Sequence, residues 1–211
     1  MEIKFNRQQL ISRIRSKVTA AVKKSAIELE TNIKNRLNLG NSSISNGGVG
    51  SPAGSPPFNA SGTLMRSITH VDKTINPLQP TYRVGTNLIY AGIQEYGGRI
   101  RAKKGKFLAV PVGVDGRRAA RDCKGDIRSL NLTFLKTKSG KMMLVKWLAK
   151  GMKAAKGSKA ATGGQYVILF VLKKSVYLPP RPYMRPSYAA MKPKIDANIR
   201  EALAEAIAGG A

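Results

Sequence analysis

Near the start of the chain, apolar residues recur every three or four positions: Ile11, Ile14, Val18, Val22, Ala26, Leu29, Ile33 and Leu37. That spacing predicts one long amphipathic helix over residues 7–38, with Arg13, Lys17, Lys24, Glu28 and Lys34 on its opposite face. Such a stripe suits packing onto a core or contact with another subunit. A coiled coil fits less well, because the stripe takes in Ala26 and has no leucine repeat. Periodicity then stops. Gly40–Ala60 is rich in Gly, Ser, Asn and Pro and reads as a loop, without the lysine–hydroxyl pair of a phosphate loop. Ser61–Ile68 predicts a short helix with Ser61 or Thr63 as its N-cap. Thr69–Ile75 and Thr81–Thr86 predict two short strands. Tyr90–Tyr96 predicts another short helix, ended by Gly97-Gly98.

Lys106–Val112 reads as a strand whose Pro111 puts it at a sheet edge or a bulge. The following GRRAARDCKGDIR reads as charged and irregular. Leu130–Lys136 and Lys141–Leu148 flank Thr137-Lys138-Ser139-Gly140 as a β-hairpin, and the Gly/Ala/Lys-rich stretch after it has no packing pattern. Tyr166–Leu172 is a continuous, β-branched apolar run, as expected of a strand buried on both faces. The chain resumes as Val176-Tyr177-Leu178 and stops at Pro179-Pro180, which lack the N–H groups a ladder needs. Arg181–Pro186 predicts an extended elbow. Ile195, Ile199, Leu203 and Ile207 then predict a closing helix within Tyr188–Ala208. The fold class expected is α+β: a long N-terminal helix, a small mainly antiparallel sheet, short helices and a C-terminal helix. Residues 1–211 are expected to form a single domain, with 113–164 as a basic, hairpin-containing insertion.

Charge changes this picture most. The 37 Lys and Arg face 11 Asp and Glu, a net charge of +26, which calls for a polyanionic or strongly acidic partner. Phosphate binding needs positive charge on flexible stems, and the candidates are Arg99, Arg101, Lys103, Lys104, Arg117, Arg118 and Arg121, with the lysines from Lys136 to Lys159. With neither a recognition helix nor an aromatic platform in the pattern, DNA contact is expected to be independent of sequence. Cys123 is the lone cysteine, so neither an intrachain disulfide nor a cysteine metal site is expected, in keeping with a reducing cytoplasm. The start of the chain has no signal-peptide pattern, and the longest apolar run is far below the ~20 residues of a membrane span. A protein made soluble inside the cell, with no membrane contact, is expected.

Candidate chemistry is sparse. His70, the only histidine, falls in a strand and reads as a satisfied or solvated side chain. Asp122 and Asp126 sit among cations and temper repulsion. Glu95, beside a glycine pair, reads as a structural carboxylate holding an arginine or backbone N–H groups. Neither a His/Cys/carboxylate cluster nor a framed nucleophile is present, so the expectation is no enzyme, no metal and no cofactor.

Four stretches, in order, resemble the virion morphogenesis family of tailed phages, the neck and tail-completion proteins of head–tail joining. They are SPAGSPPFNASGTLMRSI (Ser51–Ile68), YAGIQEYGGRI (Tyr90–Ile100), GKFLAVP (Gly105–Pro111) and VYLPPRPYMRP (Val176–Pro186). Ser61-Gly62 stands where the family has Thr-Gly, and the basic region 113–164 lies outside the resemblance. The resemblance implies a structural virion protein at the head–tail junction, made in the host cytoplasm. It would assemble into a ring, six-fold by family, with other neck and tail proteins as partners and packaged DNA passing through. Ring closure needs two different faces on each subunit. The helix stripe and the proline elbow are the candidates, with Arg181, Tyr183 and Arg185 packed near Gln94, Glu95 and Tyr96 as the interface set. The competing reading, from charge alone, is a sequence-independent nucleic-acid-binding protein of ribosomal or nucleoid type.

Overall fold

The computed structural model describes residues 7–39, 51–58, 61–76, 79–103, 105–149, 156, 159–160 and 165–208. The chain forms two compact units. The first comprises Met1–Ser43, Gly50–Gly97 and Pro179–Ala211; the second comprises Gly98–Leu178 with Ile44–Val49. The sequence reading placed an insertion at 113–164; the second unit is wider, because it also takes in the strands on either side of that stretch.

In the first unit, α1 (Arg7–Leu39) is a single helix of 33 residues, about 50 Å long at 1.5 Å per residue. Its expected stripe packs unevenly. Ala26, Ile33 and Leu37 are buried, whereas Ile11 is 41% exposed. Ile33 and Leu37 share a core with Leu64 and Ile68 around the short helix α2 (Thr63–Ser67), with Ala91 and with Tyr183. Helix α2 is not capped by Ser61 or Thr63: Gly62 stands at the cap, left-handed at φ 72°, with no side-chain cap bond. Strands β1 (Thr69–Asp72) and β2 (Tyr82–Gly85) pair antiparallel, and His70 on β1 meets Glu30 of α1. Helix α3 (Ala91–Tyr96) ends at Gly97, φ 68°, whose N–H donates to Ile93 O at 3.0 Å. Positive φ with an extended ψ is a conformation open almost only to glycine, which is why glycine stands there.

The second unit starts with β3 (Gly98–Arg101), and β4 (Leu108–Pro111) follows at a sheet edge, as Pro111 predicts. Next comes α4 (Gly113–Asp122), in the stretch read from sequence as irregular. Its inward face is built from small residues, Gly116, Ala119, Ala120 and then Cys123, at helical spacing. Such a face carries little hydrophobic signal. A 3-10 turn (Ile127–Leu130), N-capped by the Asp126 carboxylate, precedes the predicted hairpin, β5 (Thr133–Lys136) and β6 (Met142–Trp147). The two-residue β7 (Lys159–Ala160) and the long β8 (Tyr166–Lys173) complete a five-stranded antiparallel sheet. Strand β8 is central, pairing β6 on one side and β4 on the other, and Val167, Leu169 and Phe170 are buried. The register shifts opposite Leu144 and Val145, leaving Leu169 as the extra residue of a bulge in β8. Its carbonyl accepts the Val112 N–H at 2.9 Å, just ahead of α4. Strand β9 (Ser175–Leu178) then pairs β3, with Gly98 opposite Leu178.

The chain re-enters the first unit through Pro179–Pro182 and forms α5 (Met184–Ala208). The helix begins four residues before the predicted Tyr188. Pro186 falls in its first turn, where no intrahelical donor is missed, so the proline that read as part of an elbow is compatible with helix. Helices α1 and α5 pack together, joined by Lys17–Glu205 at 2.9 Å, Lys194–Glu28 at 3.2 Å and Asn198 donating to Ser25 Oγ at 3.1 Å. Among the described residues, no helix is long and apolar enough to cross a membrane.

Candidate functional site: the Glu95 clamp

A dense hydrogen-bonded constellation in the first unit forms where α3, the Ser51–Phe58 loop and the proline segment converge. A helix start leaves its first backbone N–H groups without intrahelical acceptors. At α5 these belong to Tyr183, Met184 and Arg185, since Pro186 has none. All three donate to the Glu95 carboxylate: Tyr183 N and Met184 N to Oε2 at 2.7 and 3.0 Å, and Arg185 N to Oε1 at 2.9 Å. One carboxylate from α3 thus caps a helix that begins almost ninety residues later. Negative charge at a helix N-terminus also complements the helix dipole.

Arginines close the arrangement. The Arg185 side chain returns to the same carboxylate, Nε to Oε1 at 3.2 Å, and donates to the Glu95 carbonyl at 3.1 Å. Its guanidinium carbon lies 4.7 Å from the Tyr96 ring centroid. Arg181 donates its backbone N–H to Gln94 O at 2.7 Å and its Nε–H to Ser51 O at 2.8 Å, while Gly54 N–H donates to Pro180 O at 2.9 Å. Burial alone would raise the Glu95 carboxyl, but the three amides and Arg185 outweigh it and hold its pKa below the usual carboxylate range. Burial, then Glu95 and Tyr90, push the Tyr183 phenol up to about 12.

All six residues expected at a subunit interface therefore meet inside one chain. Glu95 and Tyr183 are 2% and 0% exposed, so in this conformation they belong to the interior and are no part of an outer contact surface. Tyr96, 67% exposed, and the exposed Arg185 form the outward side of the clamp. Glu95 is the structural carboxylate that the sequence suggests, holding both an arginine and backbone N–H groups; what the sequence did not show is that those N–H groups are the ones at the start of α5.

The basic candidates fall in the second unit. Arg99 and Arg101 lie exposed on β3, and Lys103 is exposed just beyond it. Arg117, Arg118 and Arg121 are on α4, with Arg117 half-buried and the other two exposed. Lys104 lies outside the described residues, as do residues 40–50 and 59–60 of the predicted Gly40–Ala60 loop and part of the lysine-rich stretch. His70 is satisfied by Glu30, which also pairs with Lys34. Among the described residues no group of three or more His, Cys, Asp or Glu is placed to hold a metal. No family model, curated protein or solved structure matches the chain.

Proposed function

We propose that this chain is a structural subunit of the head–tail junction of a tailed phage, closing into a ring through which DNA passes and carrying no catalytic role. The observation that supports the reading most is the Glu95 clamp. Three of the four stretches that resemble the virion morphogenesis family, Ser51–Ile68, Tyr90–Ile100 and Val176–Pro186, meet there through Ser51 O, Gln94 O, Glu95 and Arg181. Residues that define a resemblance and also brace one another are what a shared scaffold requires. The clamp fixes the direction in which α5 leaves the proline segment, and it leaves Tyr96 and Arg185 facing outward. A rigid edge of that kind suits one side of a heterologous contact. The partly exposed apolar residues Ile11, Leu203 and Ile207 of α1 and α5 suit the other.

The charge favours a second reading, a sequence-independent nucleic-acid-binding protein that never self-assembles. Light scattering at low and high salt, with and without duplex DNA, separates the two. The junction reading predicts one discrete mass, a fixed multiple of 22.8 kDa that survives high salt. A monomer whose mass changes only by salt-sensitive coating of DNA supports the second reading instead.

A further inference from the structure

The positive charge is concentrated in one unit. Gly98–Leu178 carries 20 Lys and Arg against three carboxylates, Asp115, Asp122 and Asp126. That is +17 of the total +26, so most of its cations have no carboxylate in the unit to pair with. Charge alone does not locate a contact; the strand register does.

Strands β3 and β9 form a two-stranded antiparallel ribbon, each paired only with the other among the described residues. Residues directly opposite in such a pair share a face. Arg99 stands opposite Tyr177 and Arg101 opposite Ser175, so all four lie on one face. Gly98, Ile100, Val176 and Leu178 lie on the other. Arg99 and Arg101 are exposed, Tyr177 is 65% exposed, and their side chains make no hydrogen bond or ion pair with any described residue. Exposed Lys173 and Lys174 stand at the corner where β8 passes into β9, and exposed Lys103 follows β3. Arg, Lys, Tyr and Ser are side chains that donate to phosphate oxygens. None of the exposed members is an acceptor-only carboxylate that would repel a phosphate.

We propose that this Arg99–Arg101–Tyr177 face of the β3–β9 ribbon is the site at which the protein holds the sugar–phosphate backbone of duplex DNA. The inference deepens the junction reading by naming the part of the chain that meets the DNA, and it rests on that reading only for the choice of duplex. Two arginines on alternate residues, about 6.6 Å apart along the strand, reach phosphates without reading bases. The Tyr177 hydroxyl, across the ladder from Arg99, adds a neutral donor beside it. A folded acidic protein is the other class of polyanion, and the test below distinguishes it.

The test measures binding of a fluorescent duplex by the full-length protein across a salt series. Arg99→Ala/Arg101→Ala is compared with Lys136→Ala/Lys138→Ala, an equal loss of charge at the β5–β6 turn. The ribbon variant is expected to bind about tenfold more weakly and to flatten the log–log salt slope by about 1.8, for two lost phosphate contacts. Tyr177→Phe is expected to cost roughly threefold with the slope unchanged, because it removes a neutral donor. The turn variant is expected to stay within about twofold of the parent. Equal losses in the two double variants would overturn the proposal, as would a parent protein that does not bind duplex at low salt. So would a ribbon variant that keeps duplex affinity while losing affinity for polyglutamate, since the face would then serve an acidic protein. Melting temperatures equal to the parent's exclude misfolding as the cause. Binding is read on the free protein, so failure to form rings would leave the comparison intact.

Discussion

Glu95 replaces the acceptors that the start of α5 lacks. Its depressed carboxyl pKa has a definite consequence for pH. A carboxylate held below its unfolded value of about 4.5 contributes fully above that pH and loses its contribution as pH falls through the folded value. Glu95→Gln should therefore melt well below the parent at neutral pH, and the gap should narrow steadily under acid conditions below about pH 4.5. A gap that stays constant with pH would show that the carboxylate charge is not what holds the segment. Glu95→Ala leaves one buried and two part-buried amides without their acceptor and is expected to cost roughly 2–4 kcal/mol at neutral pH. Arg185→Ala, whose side chain is more than half exposed, should cost only about 1 kcal/mol.

At the scale of elements, α4 approaches the bulge of β8 closely in the second unit. A Cβ built on Gly116 would lie 2.2 Å from the Leu169 carbonyl oxygen, a backbone atom that cannot swing aside. Gly116→Ala must separate helix from sheet and is expected to destabilise the second unit by about 1–3 kcal/mol or more. Hydrogen exchange would show lost protection in β4, β6 and β8 while α1 and α5 keep theirs. This contact also explains what sequence could and could not reveal. Strong periodicity marked α1, the β5–β6 hairpin and the apolar β8, and proline and glycine marked the edge strand β4 and the end of α3. Helix α4 escaped because its packing face is made of Gly116, Ala119 and Ala120, residues chosen for close approach rather than for hydrophobicity. The start of α5 escaped because proline at Pro186 reads as a helix breaker, although in a first turn it breaks nothing. The clamp was half legible. Its six residues and the holding role of Glu95 were named from sequence, but which backbone donors the carboxylate takes depends on where α5 begins.

At the scale of the whole molecule, the two ends of the Gly98–Leu178 segment lie side by side, since Gly98 pairs with Leu178 across the β3–β9 ladder. An insertion whose ends are paired is removable. Replacing Gly98–Leu178 by a short Gly/Ser linker should leave a folded first unit with the Glu95 clamp intact and the net charge reduced from +26 to +9. Cooperative melting with a Glu95-dependent acid limb would bear this out. A deletion variant without cooperative melting would mean that the first unit depends on the second for its fold.

The junction assignment needs subunits that close upon themselves, and images of single particles test this most directly. In negative-stain electron micrographs of the concentrated protein, closed rings of uniform diameter are expected, with a central opening wide enough for a DNA duplex and six-fold by resemblance to the family. Particles that stay single at every concentration, or grow into open chains without closing, would contradict the junction assignment.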